Sequence, residues 1–409
     1  MNIWLVKDGE NLPVQQGSRP MRMWMLAERL CRHGHSVLWW SSTFSHQTRQ
    51  LLFQQDTSTE VASGFQLKLL HAKGYRRNVS WARYRHHLQV AKRFSEKSEA
   101  CPRPDVVICA FPTIELAFSV ANYTSAAGVP LVIDIRDLWP DVILDKSPAI
   151  LRPLIWPVLA PMRRKQRAAL RAATSIVATS EDYLGWGLKQ AGRVRTPMDR
   201  VFYLGAEGYV STAPSNDRIL QLVGRIGKNI IVCYVGSFGK SYELDLVVKV
   251  ARQLLRNGES RVHFVLAGDG EQYVKLIGED CPANVTLTGW LNQGEIATLL
   301  QHSSIGLVPC RSVAGTLPNK VFDYLSAGVP IISSLEGEMQ RLIAEQNLGF
   351  SYPAGSAQGL LQRVQCLASD KSLRELQAQN AREAYRRLYN ADAIYESFAT
   401  HIENIAGAA

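Results

Sequence analysis

Short apolar runs alternate with longer stretches of helical periodicity along the whole chain. In the first half, residues 3–6, 37–40, 65–70, 106–110, 131–133, 175–179 and 201–204 are mainly apolar and too short for helices, which predicts strands. Between the first two runs, Met23, Met25, Leu26 and Leu30 approximate one helical face, and Gly34 stops a helix predicted from about 20 to 33. Further helices are expected at about 113–126 and from 181 onward. Residues 205–228 lack strong periodicity and carry Gly, Pro, Ser and Asn, which places an interdomain linker near 205–215. The alternation then restarts. Strands are predicted at 230–235, 263–267, 285–288, 305–308, 331–333 and 349–352. Helices fall between them at about 242–256, 272–278, 294–302, 319–327, 339–346 and 358–368, and two more, 372–388 and 391–406, end the chain. This pattern predicts an α/β protein with two doubly wound, parallel-sheet, Rossmann-like domains facing a cleft, over residues 1–205 and 206–388.

Composition narrows the picture. A length of 409 residues with 46% apolar and 20% charged residues fits two globular domains rather than a disordered chain. The formal charge of +10 suggests an anionic partner: a phosphate ligand, an anionic lipid surface or nucleic acid. Seven cysteines form no C-x-x-C pair, are odd in number and mostly lie in or beside apolar runs, as expected of reduced thiols in a cytoplasmic protein. The apolar start at 1–6 runs into Lys7-Asp8 too early for a signal peptide, and the stretch 148–162 contains Arg152 and four prolines, so it does not span a membrane.

Candidate chemistry concentrates in residues 315–330, Gly-Thr-Leu-Pro-Asn-Lys-Val-Phe-Asp-Tyr-Leu-Ser-Ala-Gly-Val-Pro. A loop of small residues leads into a helix with Pro318 in its first turn and Gly328 at its end. Free N–H groups at such a helix start attract anions, and Lys320 adds a full positive charge. Asp323, three residues on, shares its face and could accept hydroxyls such as those of a ribose. An ordinary βαβ connection with a solvated lysine is the alternative. Glycines recur after the neighbouring strands: Gly236-Ser237-Phe238-Gly239-Lys240, Gly268-Asp269-Gly270 and Gly289-Trp290-Leu291. In one parallel sheet these loops gather at the carboxyl edge, where they could approach an anion closely, with Lys240 and Lys320 as two cations over one phosphate pair.

In the first half, Gly17-Ser18-Arg19 lies before a helix and could hold an anion, but no G-x-G-x-x-G accompanies it. Asp134 and Asp137, read as lying just past a strand, could be metal ligands, yet no metal-spaced His or Cys set is near; a metal site is not expected. No Walker A motif or G-x-S-x-G elbow is present. Two segments are basic. Residues 71–103 hold nine Lys/Arg against two Glu, with Tyr75, Trp81, Tyr84 and Phe94 interleaved, and residues 151–171 hold six Lys/Arg and no acid beside Leu154, Ile155, Trp156, Val158 and Leu159. The first suits nucleic acid or an anionic membrane surface, or is a solvated helix face; the second suits a bilayer interface, or is a core helix with a basic outer face.

The C-terminal series Tyr-Val-Gly-Ser (234–237), Leu-Ala-Gly-Asp-Gly-Glu (266–271), Val-Thr-Leu-Thr-Gly-Trp (285–290) and Leu-Pro-Asn-Lys-Val-Phe-Asp-Tyr-Leu-Ser-Ala-Gly-Val-Pro-Ile-Ile (317–332) resembles glycosyltransferase family 4, the group 1 retaining enzymes of GT-B fold. Asp-Ile-Arg-Asp-Leu-Trp-Pro-Asp (134–141) and the Gly-Ser-Arg-Pro start at 17–20 resemble its fucosaminyltransferase-like branch of bacterial surface-polysaccharide enzymes. The resemblance implies a nucleotide-sugar donor, most simply UDP-linked, no metal or other cofactor, and a lipid-linked saccharide acceptor held by the first domain. The implied setting is the cytoplasmic face of the inner membrane, reached through the two basic segments and without nucleic acid. It also implies that the terminal helix, 389–409, packs back on the first domain.

For individual residues it implies that Gly289, Trp290 and Leu291 meet the nucleobase and Asp323 the ribose. Gly236, Ser237, Lys240, Gly268, Thr316, Leu317, Asn319 and Lys320 surround the diphosphate and donor sugar. Gly17 and Ser18 close over the phosphates, Asp137 faces the reacting centre, and Lys320 with Lys240 stabilises the departing diphosphate. The chain departs from the family at three places. Gly315 stands where a glutamate is usual eight residues before Asp323, Ser237 replaces a frequent arginine, and Arg136-Asp137 replaces His-Asp. A sugar-nucleotide epimerase and a noncatalytic nucleotide-sugar-binding scaffold are the alternative readings.

Overall fold

The apolar runs become two parallel sheets in a computed structural model of the chain, which describes residues 1–15, 20–77, 80–145, 147–208, 217–278, 281–311 and 317–408. They lie in two compact units, Met1–Tyr203 with Tyr395–Ala409, and Leu204–Ile394.

The first unit contains β1 (Asn2–Val6), β2 (Ser36–Ser42), β3 (Phe44–Ser45), β4 (Gln50–Leu51), β5 (Thr57–Ala62), β6 (Phe65–Leu70), β7 (Val106–Phe111), β8 (Leu131–Ile135), β9 (Ser175–Ala178) and β10 (Arg200–Val201). Eight of these form one sheet in the order β10-β9-β8-β7-β1-β2-β6-β5. Every pair is parallel except β5 with β6. Chain order reverses between β1 and β7, the arrangement of a doubly wound domain. Helices on both faces make the central strands apolar throughout, as in β7, Val-Val-Ile-Cys-Ala-Phe, which is buried at every position. Strand β5 escapes the sequence pattern because it is an edge strand wetted on one side, and its Thr-Ser-Thr-Glu-Val-Ala sequence is mostly polar. An aromatic cluster fills one face of the sheet: Trp4 stacks on Tyr123 at 5.1 Å, and Phe94 meets the edge of Trp40 at 5.0 Å.

The second unit contains β11 (Ile230–Val235), β12 (Val262–Ala267), β13 (Val285–Gly289), β14 (Ile305–Val308), β15 (Ile331–Ser333) and β16 (Gly349–Ser351), ordered β13-β12-β11-β14-β15-β16 and wholly parallel. The reversal here falls between β11 and β14. One helix, Asp217–Ile226, forms where no element was expected. Its Ile219, Leu220, Leu222, Val223 and Ile226 do follow helical spacing, but the run is short and adjoins the linker, which hid it. The helix expected over 372–388 is α-helical only for Lys371–Ala384 and then widens into a π-helical turn, Tyr385–Tyr389.

The last helix, Ala391–Gly407, packs within the first unit from Tyr395 onward: Phe398 stacks on Phe202 at 4.4 Å, and Arg22 lies over the Phe398 ring. In the second unit the core is continuous from Val232 and Tyr234 through Leu244, Val248 and Phe264 to Leu361 and Val364.

A buried lysine at the switch point of the second sheet

Strands β11 and β14 are hydrogen-bonded only at their first halves, through Val232–Ile305 and Cys233–Gly306, and then diverge. The hydroxyl of Tyr324, from the helix Asn319–Ala327, enters the gap. It accepts from the Val235 amide at 3.0 Å and donates to the Leu307 carbonyl at 3.2 Å. Gly306 makes the insertion possible, since a Cβ there would stand 2.6 Å from the Tyr324 ring. The helix is thereby fixed over the carboxyl end of both central strands, where open α/β sheets bind ligands.

Lys320, one turn earlier on that helix, is 7% exposed. Its Nζ lies 3.8 Å from the ring centroid of Tyr234 and 3.8 Å from that of Tyr242, and has no hydrogen-bond partner among the described residues. Burial lowers its pKa to about 7. A buried, unpaired ammonium is costly unless an anion completes its surroundings. Asp323, on the same helical face, is also buried. Gly236, at the end of β11, borders the ammonium directly: a Cβ there would sit 2.9 Å from Nζ.

The glycine loops do meet at this edge, but for a reason other than the expected one. The amide of Gly236 donates to Ala267, that of Gly268 to Gly289, and that of Gly270 to the Asp269 carboxylate. These glycines sew adjacent loops together rather than presenting N–H groups to an anion. A Cβ on Gly268 would lie 1.8 Å from the Gly236 carbonyl oxygen, so the loops could not close with any other residue there. The amides of Ser237, Gly239 and Lys240, by contrast, have no hydrogen-bond partner among the described residues. The Tyr234 hydroxyl holds this loop by donating to the Ser237 carbonyl at 2.6 Å.

Residues 216–384 match the family model for glycosyl transferases group 1. The whole chain is similar in fold to sucrose-phosphate synthase from Thermosynechococcus elongatus, at 16% identity over 100% of both chains with a TM-score of 0.76. It is similar also to Anabaena Alr3699/HepE in complex with UDP, at 14% identity over 99% of this chain and 100% of that one, TM-score 0.69. A third likeness is to WaaG, a glycosyltransferase involved in lipopolysaccharide biosynthesis, at 14% identity over 98% and 99%, TM-score 0.65. Among curated proteins none matches the chain in sequence. The chain is a glycosyltransferase. Its fold is GT-B, and its second unit carries the group 1 domain.

In this glycosyltransferase, Leu317 and Leu291 are buried beside the edge loops, whereas Ser237, Asn319 and Trp290 are exposed, Trp290 by 69%. Lys240 does not share the burial of Lys320: it is exposed and ion-paired with Glu271 at 3.1 Å. Gly17, Ser18, Gly315 and Thr316 lie outside the described residues.

The carboxylates of the first unit divide differently from expectation. Asp134 is not past the strand but inside β8 and fully buried. Arg22 grips both its oxygens at 2.9 Å, and Arg136 donates to one of them at 2.7 Å. Burial alone would raise the Asp134 carboxyl, but the two guanidinium groups outweigh it and hold the pKa at about 2. Arg136 also pairs with Glu10, whose other oxygen accepts from the Met23 amide at the start of the first helix. Asp134 and Arg136 are therefore parts of a core ion network, not metal ligands. Asp137 is half-buried and accepts from the Leu138 amide at 2.8 Å.

The two basic segments also separate. In the first, Tyr75 and Phe94 belong to the core, and Arg93 and Lys97 both pair with Asp56. In the second, Leu154, Trp156 and Val158 are exposed on a helix Arg152–Val158 that leads into the basic helix Ala160–Ala172, and Ile150 and Leu151 are exposed in the turn just before it. Sequence reasoning missed Tyr234, Tyr242 and Tyr324. Each sits in an ordinary apolar or mixed stretch, and only the fold brings the three rings around one lysine and one strand gap.

Proposed function

We propose that this glycosyltransferase is a retaining enzyme that moves a sugar from a UDP-linked donor to a lipid-linked saccharide in bacterial surface-polysaccharide synthesis, as the resemblance to the fucosaminyltransferase-like branch suggests. The observation that carries the donor part is the buried, unpaired ammonium of Lys320 at the switch point of the second sheet. A diphosphate would supply the anion that this group lacks. The amides of Ser237, Gly239 and Lys240 would donate to it, Asp323 would accept from the ribose, and the exposed Trp290 with Leu291 would meet the base.

In this reading the bond between the sugar's anomeric carbon and the diphosphate breaks as the acceptor hydroxyl attacks from the same face. The hydroxyl proton passes to the departing phosphate oxygen, and Lys320 stabilises the charge that develops there. Neither metal nor a further cofactor enters. Asp137 is proposed as a catalytic residue of the acceptor-binding first unit. The complexes of the similarly folded Anabaena Alr3699/HepE with UDP and with UDP-glucose support the choice of base.

The exposed apolar side chains at 150–158, followed by Arg163, Arg164, Lys165, Arg167 and Arg171, support peripheral attachment to the cytoplasmic face of an anionic membrane. No helix among the described residues is long and apolar enough to cross one.

Thermal stabilisation by UDP-, GDP-, ADP- and dTDP-sugars tests the donor, since a ligand bound to the native state raises the melting point. A UDP-sugar should stabilise the wild type and fail to stabilise Lys320→Ala. Equal stabilisation of both proteins would remove Lys320 from the donor site. Rapid release of free sugar with no acceptor present would argue against a transferase committed to a saccharide acceptor.

A further inference from the structure

The first helix of the chain ends at His33, and Gly34, with φ +83°, turns the backbone so that His35 follows immediately before β2. This left-handed turn brings two imidazoles, two residues apart, to one carboxylate from the far end of the chain. Glu403 Oε1 lies 2.7 Å from Nδ1 of His33 and 2.7 Å from Nε2 of His35. The three ligand atoms all lie within 4.8 Å of one another. All three side chains are partly open to solvent, at 22%, 14% and 27%.

One more carboxylate completes the arrangement. Glu396, two turns earlier on the same helix, accepts from Nε2 of His33 at 2.9 Å and is itself held by Arg29 at 3.1 Å. Metal-binding histidines commonly give their second ring nitrogen to a carboxylate in this way, which fixes the tautomer and aims the free lone pair at the ion.

We propose that His33, His35 and Glu403 bind a divalent transition ion of the zinc class, with Glu396 orienting His33 from behind. Two imidazole nitrogens and one carboxylate oxygen suit Zn²⁺, Co²⁺ or Ni²⁺ rather than Mg²⁺ or Ca²⁺, and the partial exposure leaves a fourth position for water. The cluster sits at the amino edge of β2, opposite the carboxyl edge where open α/β sheets bind ligands, so the ion would act structurally. It would clamp the last helix to the turn that begins β2, joining two segments of the first unit separated by some 370 residues. Ligation needs unprotonated ring nitrogens, so affinity should rise with pH.

The test uses the full-length, untagged protein. Titration with ZnCl₂ by calorimetry should give one site per chain with proton release, and Co²⁺ should give visible d–d bands of a low-coordinate ion. His35→Ala and Glu403→Gln should each lose the site, while Glu396→Gln should weaken it about 10–100-fold. Thermal melts of each variant without metal show whether it is folded, so loss of binding can be separated from loss of structure. Absence of Zn²⁺ binding to the folded wild type, or binding that survives in a His33→Ala/His35→Ala double variant, overturns the proposal. Neither readout depends on sugar transfer or on the donor assignment.

Discussion

A methyl group on Gly236 would stand 2.9 Å from the ammonium of Lys320 and 3.1 Å from its Cε. The lysine has nowhere to retreat, because the faces of Tyr234 and Tyr242 each lie 3.8 Å from Nζ. Gly236→Ala should therefore displace the ammonium and cut kcat/KM for the donor at least about tenfold, equivalent to about 1.4 kcal/mol of transition-state stabilisation. Gly268→Ala should behave differently. Its Cβ would meet backbone, 1.8 Å from the Gly236 oxygen, so soluble folded protein should be lost rather than activity alone. Steady-state kinetics and melting curves on both variants separate the two. Full activity in Gly236→Ala would show that the lysine is not confined as described.

Lys320 costs the unliganded protein stability. Burial lowers its pKa from 10.5 to about 7, so between those values the unfolded chain holds a proton that the folded chain does not. Stability of the unliganded protein should rise with pH across that window. Lys320→Met keeps the aliphatic stem and removes the charge. It should abolish transfer yet stabilise the apoprotein by about 1–4 kcal/mol at pH 7, read as a higher melting temperature. A lower melting temperature in Lys320→Met would mean that the ammonium is already satisfied.

The same group should make donor binding proton-linked. A diphosphate beside Nζ favours the charged form and raises its pKa. At pH 8, where the free enzyme holds Lys320 mostly neutral, binding should take up close to one proton; at pH 6 it should take up almost none from this group. Calorimetry with UDP in buffers of different ionisation enthalpy measures the uptake, and Lys320→Met should remove it. Equal proton uptake at pH 6 and pH 8 would contradict the assignment.

Tyr324→Phe leaves the ring against Gly306 but withdraws the acceptor of the Val235 amide. An orphaned buried amide costs about 1–3 kcal/mol, and for a unit of this size each kcal/mol lowers the melting temperature by roughly 2–4 °C. Donor affinity should fall with it, because the helix carrying Lys320 loses its tie to β11. Unchanged stability would mean that a water molecule replaces the hydroxyl.

Asp134 supports the first unit in a pH-dependent way. Its carboxyl titrates at about 2 in the fold against an ordinary value of 3.8. The stabilisation is present above about pH 4 and is lost as pH falls toward 2. Asp134→Ala leaves Arg22 and Arg136 facing a buried gap and should destabilise by about 3–5 kcal/mol at pH 7, a difference that shrinks in acid. Denaturant unfolding at pH 7 and pH 3 checks both statements.

Much of this was readable along the chain. Uninterrupted apolar runs such as 106–110 and 305–308 can only be strands covered on both faces, and their alternation with helices implies parallel sheets with ligands at the carboxyl edge. That reasoning also found Lys320, Asp323 and the glycine loops. It misread Asp134, because a carboxylate next to a strand end looks the same whether it faces solvent or two arginines that arrive from residues 22 and 136. It assigned the amides of Gly236 and Gly268 to a ligand when neighbouring loops already use them.

The sequence by itself determined the class of fold and placed Lys320 and the glycine loops at the carboxyl edge of the second sheet, since these depend on local periodicity and on residue types adjacent in the chain. Tertiary structure decided which charges are paired. Lys240 and Lys320 are both cations at one edge, yet one reaches Glu271 in water while the other is buried between two tyrosine rings. Their difference rests on burial, and burial is set by residues far away in sequence: Tyr234 on β11 and Gly306 on β14, the latter leaving room for the ring of Tyr324 that anchors the lysine's helix.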